Sequence, residues 1–89
     1  MKSWRVYLLR CSDDSLYCGA TTDLERRVQE HNQGVGSRYT KSRLPVQLVW
    51  SSLELSKSVA FREEYRIKRM SLSFRLGNSE FRNWMEFDT

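Results

Sequence analysis

Aromatic and branched residues crowd Trp4 to Arg10, where Trp-Arg-Val-Tyr-Leu-Leu-Arg predicts a β-strand. Ser12-Asp13-Asp14-Ser15 then reads as a turn, because these side chains hydrogen-bond to their own backbone and tolerate unusual dihedrals. Leu16 to Ala20 is the returning strand of a hairpin, and Gly19 marks a place where the backbone must bend or be closely approached. The pattern next turns helical. Thr22-Asp23-Leu24-Glu25 fits a capping box, with Thr22 as N-cap and Glu25 reaching back, and Leu24 and Val28 face a core at i, i+4. This helix runs to about Asn32, and Gly34 stops it.

Gln33 to Leu44 reads as a loop carrying Gly34, Gly36, Arg38, Lys41 and Arg43. Pro45 precedes a third strand, Val46 to Trp50, and Ser56 caps a second helix from about Lys57 to Met70. Phe81, Trp84 and Met85 fall at helical spacing within Phe74 to Phe87, which predicts a short last helix packing back on the core. The fold class is therefore α/β of the α+β kind: a three-stranded antiparallel sheet flanked by helices, in the order β-β-α-β-α-α. Eighty-nine residues leave no room for a second core, so one domain is expected over residues 1–89, with a helical extension from residue 71.

Charge sharpens this picture. Fifteen Lys and Arg against eleven Asp and Glu give a net +4, and eleven of the fifteen cations are arginine. The planar guanidinium grips phosphate with a fork of donors, so an arginine-rich basic domain leans towards nucleic acid. The plain alternative is that +4 keeps a small domain soluble. Cys11 and Cys18, the only cysteines, lack the further Cys or His partners that a zinc site needs. No signal peptide or apolar run near 18 residues is visible, which points to a cytoplasmic protein with free, mostly buried thiols and no membrane segment.

Several residues carry candidate chemistry, each beside an ordinary reading. Ala60, Glu64 and Ile67 share a helical stripe, and a carboxylate among apolar neighbours is costly unless it is paired or binds a cation. Pairing with Lys68 at i+4 is the ordinary reading, and Glu63 is the rival for any metal role. Tyr7 and Tyr17 sit on neighbouring strands, where tyrosine is common as core packing. His31 stands near a helix C-terminus, where the dipole favours it, and Arg27 beside Arg26 would suit a solvated basic face.

The ordered set is more specific than its members. Val6-Tyr7-Leu8, Leu16-Tyr17-Cys18-Gly19, Thr22 to Arg27, His31-Asn32, Gly34-Val35-Gly36, Arg38-Tyr39-Thr40, Arg43 to Val49 and Ala60 to Lys68 occur in turn. This arrangement resembles the GIY-YIG endonuclease superfamily, and in particular its short stand-alone bacterial members related to the nuclease domain of the excinuclease C subunit. The resemblance spans roughly Trp4 to Met70. It implies a small domain with a three-stranded antiparallel sheet, and hydrolysis of a DNA phosphodiester with one divalent metal, expected to be Mg2+. RNA is left open as the alternative polymer. By motif, Tyr7 and Tyr17 match the two family tyrosines, Arg27 the helix arginine, His31 a frequent histidine or tyrosine position, and Glu64 the metal-binding glutamate. The family spacing from Ala60 selects Glu64 over Glu63. Among the departures, Ala20 stands where some relatives carry lysine, and the chain leaves the lysine-rich tail pattern from Ser71.

These residue types suit the reaction. Magnesium keeps several waters while taking one or two carboxylates plus substrate phosphate, so one glutamate suffices. The expected roles are Tyr7 as base for the attacking water and Tyr17 as its positioner, with the reverse assignment of the two tyrosines left open, Arg27 as phosphate clamp and His31 as assistant or proton relay. A tyrosine with an ordinary pKa near 10 is a poor base at neutral pH, so Arg27 or the metal is expected to lower it. Arg26, Arg38, Lys41, Arg43 and Lys68 are the candidate nucleic-acid contacts. Two other classes stand beside this reading: a catalytically idle nucleic-acid-binding module, and a partner-binding domain using Trp84 and Phe87.

Overall fold

A computed structural model describes residues 3–77 of the chain. Its centre is β1 (Arg5–Arg10), which pairs antiparallel with β2 (Leu16–Thr21) on one side and β3 (Gln47–Ser51) on the other. The helices are α1 (Leu24–Asn32), α2 (Arg38–Lys41) and α3 (Lys57–Gly77). The expected hairpin, first helix, third strand and long helix are all present. The expected order gains α2, a single turn inside the Gln33–Leu44 segment. Of the expected last helix, residues 74–77 continue α3, and Phe81, Trp84, Met85 and Phe87 lie outside the described residues. Among the described residues, no helix is long and apolar enough to cross a membrane.

Register decides which side chains meet. Tyr7 lies opposite Gly19, Leu8 opposite Cys18 and Leu9 opposite Tyr17. Side chains alternate across a sheet, so two cores form. Tyr7, Leu9, Cys11, Tyr17 and Val46 are buried beneath Leu24 and Val28 of α1, with Tyr39 and Leu44 beside them. Val6 and Cys18 are buried on the opposite face against Ala60 and Ile67 of α3. The β1–β3 pairing slips between Leu8 and Leu9, a bulge that leaves Val49 without a partner across the ladder.

Local polar groups pin these layers. Asp14 takes the left-handed conformation (φ 67°) in the hairpin turn, and Asp13 Oδ1 accepts from the Ser15 amide at 3.1 Å. The strand continues to Thr21, so α1 starts one residue later than the capping box predicts. Thr21 Oγ1 accepts from the Asp23 amide at 3.1 Å, and Asp23, not Thr22, caps the helix through the Arg26 amide at 3.2 Å. At the other end Gly34 adopts φ 83°, as the stop signal requires. Asn32 then brackets the entry to β3, donating to the Val46 carbonyl at 3.1 Å and accepting from its amide at 2.8 Å. Both cysteines are free and buried.

Candidate active site

Tyr7 occupies the middle of the central strand and is 1% exposed. Its ring lies over Gly19 of β2, where an added Cβ would stand 2.5 Å from the Tyr7 hydroxyl oxygen. Only glycine leaves that path open. The hydroxyl therefore extends across β2 and meets His31 Nε2 at 3.0 Å. His31 comes from the last turn of α1 and is fully buried. Its other nitrogen, Nδ1, is 2.8 Å from Thr40 Oγ1, and Ser37 Oγ lies 2.9 Å beyond. A Cβ on Gly36 would sit 2.3 Å from His31 Nδ1, so backbone packs directly on the imidazole.

Arg27, one helical turn before His31, closes this loop around the ring. It donates to the Gly36 carbonyl at 2.9 Å and to Glu30 Oε1 at 3.1 Å. Its charge also acts on the nearby Tyr7 phenol. Desolvation would lower the Arg27 pKa, but the nearby Tyr7 phenol and the bond to Glu30 outweigh it and the net shift is upward. Tyr7 itself corrects an expectation. Burial drives its pKa well above the usual phenol range, and the nearby Arg27 guanidinium, which acts the other way, recovers only part of that. Tyr7 is thus a neutral O–H group in the resting protein, and Arg27 does not turn it into a ready base.

Tyr17 completes the cluster from β2. Its ring centroid is 5.1 Å from that of His31 in a T-shaped contact, 6.5 Å from that of Tyr7, and 6.2 Å from the stacked ring of Tyr39. Tyr39 is held by a hydrogen bond to Ser15 Oγ and by Arg43, whose guanidinium carbon lies 3.8 Å above the ring centroid. Tyr7, Tyr17, Arg27 and His31 therefore converge. Glu64 approaches from α3, on the opposite layer, with its side chain 22% exposed and Lys68 Nζ at 3.0 Å. The ordinary pairing is real, yet the carboxylate is not remote: its charge raises the pKa of both Tyr7 and Cys18. Glu63 instead pairs with Arg66 at 2.7 Å, and no such coupling to the tyrosine is seen.

Residues 3–77 match the GIY-YIG catalytic domain. The chain belongs to the GIY-YIG family. It is 52% identical over 66 residues to a UPF0213 protein of Staphylococcus haemolyticus, covering 74% of this chain and 80% of that one. With a UPF0213 protein of Haloquadratum walsbyi it shares 54% identity over 63 residues, 71% of each chain. The solution structure of a UPF0213 protein from Bacillus halodurans is 38% identical, covering 89% of this chain and 92% of that one, with a TM-score of 0.45.

Membership in a nuclease domain family implies a nucleic-acid substrate and raises the question of a divalent metal. Among the described residues no group of three or more His, Cys, Asp or Glu side chains could cage an ion. The donor set fits a hard cation shared with substrate: Glu64 offers oxygen, is partly buried, and is already balanced by the Lys68 ammonium. It does not fit a site for soft, thiolate-bound metals. Of the candidate phosphate contacts, Arg38 and Lys41 of α2 are exposed, and Arg26 is exposed with Glu30 at 3.5 Å. Arg43 is engaged by Asp13 at 3.0 Å and by Tyr39, and Lys68 by Glu64. Sequence reasoning missed Gly36, Ser37, Tyr39 and Thr40 as members of this GIY-YIG site. One signal was available: Ser37 followed three residues later by Thr40 has the spacing of an N-cap and its N3 position.

Proposed function

We propose that this protein is a metal-dependent DNA endonuclease acting in repair or recombination. The observation that carries the reading is the buried Tyr7–His31 hydrogen bond of 3.0 Å, with the Arg27 charge close enough to act on the same phenol. A neutral tyrosine can still act as base if its own proton leaves as a new one arrives. Tyr7 Oη would take a proton from the attacking water while its own passes to His31 Nε2. The water oxygen bonds to phosphorus as the bond to the leaving sugar oxygen breaks. Arg27 would face the charge that builds on the phosphate, and Tyr17 would orient the water. Glu64 would hold a divalent cation, expected to be Mg2+, which supplies charge to offset the phosphate and the leaving oxygen when bound.

The test is single-turnover cleavage of supercoiled, branched and single-stranded DNA, with RNA in parallel, with and without Mg2+. Wild type should cut DNA only with metal, and Glu64→Gln should not cut. Full activity in Glu64→Gln rejects the role of that carboxylate. The Glu64–Lys68 ion pair is the observation on the side of a second reading, an idle nucleic-acid binder. Binding without cleavage of every polymer would establish that reading instead.

A further inference from the structure

We propose that the exposed face of α3 is a docking surface for an unpaired DNA strand, whose bases stack on Phe61 and Tyr65 while arginines hold its phosphates. The inference deepens the nuclease reading and rests on it for the choice of DNA. α3 packs on the sheet through Ala60 and Ile67. Apart from Ser58, every exposed residue of α3 from Lys57 to Arg69 is aromatic or cationic, and none is acidic. The pair Phe61-Arg62 recurs one turn later as Tyr65-Arg66, and Arg69 follows. Phe61 is 44% exposed and Tyr65 61%. Rings left in water in this way mark a surface that meets a partner.

Neighbours brace both rings. Phe61 meets Trp4 edge-on at 5.0 Å between centroids, and Lys57 Nζ lies 5.8 Å from the Phe61 centroid. Arg69 donates to the Tyr65 hydroxyl at 3.1 Å and lies 5.7 Å from that ring's centroid. Arg66 is paired with Glu63 at 2.7 Å, an exposed contact that a phosphate can exchange. Each ring is thus held in place, open to solvent and beside a cation. An unpaired strand needs this combination, because every base has a π-face and the guanidinium fork takes the phosphate. A duplex presents only its backbone here, since its bases are stacked on one another. Four residues of helix rise about 6 Å, nearly twice the ~3.4 Å per nucleotide of a stacked strand, so bases drawn apart can each meet one ring. An anionic membrane suits the face less, because arginines interrupt the rings and leave no continuous apolar side to insert among lipids. Glu64 directly precedes Tyr65, so a strand on this face runs within about 10 Å, one helix width, of that carboxylate.

The experiment is fluorescence anisotropy of a labelled DNA strand of about 12 nucleotides, free or annealed to its complement, in EDTA so that nothing is cut. Tyr65→Ala should bind the free strand about 5–150-fold more weakly, the range for losing one stacked base, with duplex binding unchanged. Tyr65→Phe should keep wild-type affinity, and Arg62→Gln should weaken both forms and flatten the salt dependence. Phe61→Ala should repeat the Tyr65→Ala result; if losing the Trp4 contact unfolds it, the two Tyr65 variants decide alone. Unchanged free-strand affinity in Tyr65→Ala overturns the proposal, as does an equal loss for duplex. It is also overturned if Tyr65→Ala loses binding to phosphatidylserine vesicles, or self-association in sedimentation, while strand binding stays intact. Binding is read without cleavage, so a protein that binds the strand and never cuts with Mg2+ would defeat the endonuclease reading and leave this surface standing.

Discussion

Beneath α1 and α2 the sheet buries polar groups; beneath α3 it buries mainly small aliphatic ones. On the first face Tyr7, His31 and Thr40 are essentially inaccessible and joined by hydrogen bonds of 2.8–3.0 Å. Leaving one such group unpaired costs about 1–3 kcal/mol, so few alternative arrangements compete. On the second face Val6, Cys18, Ala60 and Ile67 pack without that demand, and the charged groups sit at the rim. The Glu64–Lys68 pair there, 22% exposed on each side, is worth about 0–1 kcal/mol and can be exchanged. One layer thus holds protons in fixed places, while the other offers a carboxylate whose partner can be replaced by a cation. The two are not insulated from each other, since the Glu64 charge acts on both Tyr7 and Cys18.

The largest effect should come from breaking the hydrogen-bonded face. Tyr7→Phe should lower single-turnover cleavage by about 10²–10⁴-fold, the usual contribution of a positioned acid–base group. It should also cost about 1–3 kcal/mol of stability, because His31 Nε2 loses a buried partner. Denaturant titration beside the cleavage assay separates the two effects. Wild-type cleavage by Tyr7→Phe would move the chemistry off this face and remove the contrast.

The aliphatic face should announce itself in alkaline solution. Burial, aided by the Glu64 charge, raises the Cys18 thiol from 9.0 to about 12. The unfolded chain therefore releases this proton first. Stability is fully present below pH 9, falls as pH rises, and has lost the Cys18 contribution by about pH 12. At 1.36 kcal/mol per unit the loss approaches about 4 kcal/mol. Tyr7, also raised, adds to the decline above pH 10. Cys18→Ala should flatten the fall between pH 9 and 10 without touching cleavage at neutral pH. Urea titrations at stepped pH measure it, and equal slopes for both proteins would contradict the burial argument.

A smaller effect tests how closely backbone packs on the relay. Gly36→Ala would push a methyl to 2.3 Å from His31 Nδ1 and 2.8 Å from its Cα. Overpacking of this kind costs about 1–3 kcal/mol, and the displaced ring should slow cleavage more than the stability loss explains. An unchanged crosspeak pattern for His31, with unchanged rate, would show that the loop yields freely.

Much of this was legible in the chain, for reasons that particular residues make plain. The aromatic and branched run of β1, the Asp13-Asp14 turn and the Leu24/Val28 stripe follow local rules, so the hairpin lay where those rules put it and α1 began one residue past its expected cap. That Tyr7, Tyr17 and His31 belong together was legible because motif order tied them, and the structure brings their rings within 6.5 Å of one another. The Ser37–Thr40 turn was not found. Four residues of helix in a Gly- and Ser-rich stretch show no apolar period, and their order comes from His31 and Ser15 contacts formed only after folding. The neutral state of Tyr7 was also hidden, since it depends on how deeply the ring is buried rather than on its neighbours in the chain.

The mildest test lies beside Glu64. Ile67, 8% exposed, follows it by three residues on the same face of α3 and anchors the helix to the sheet. Ile67→Val removes one methylene and should cost about 0.5–1.5 kcal/mol, read as a fall of about 2–12 °C in Tm. If the two faces work independently, cleavage at saturating Mg2+ should stay within about twofold of wild type, since a shift under 0.4 kcal/mol is all that allows. A weaker dependence on Mg2+ with the relay untouched would instead tie the carboxylate's placement to the packing beneath it. The aliphatic face would then set the metal site as firmly as hydrogen bonds set the proton path.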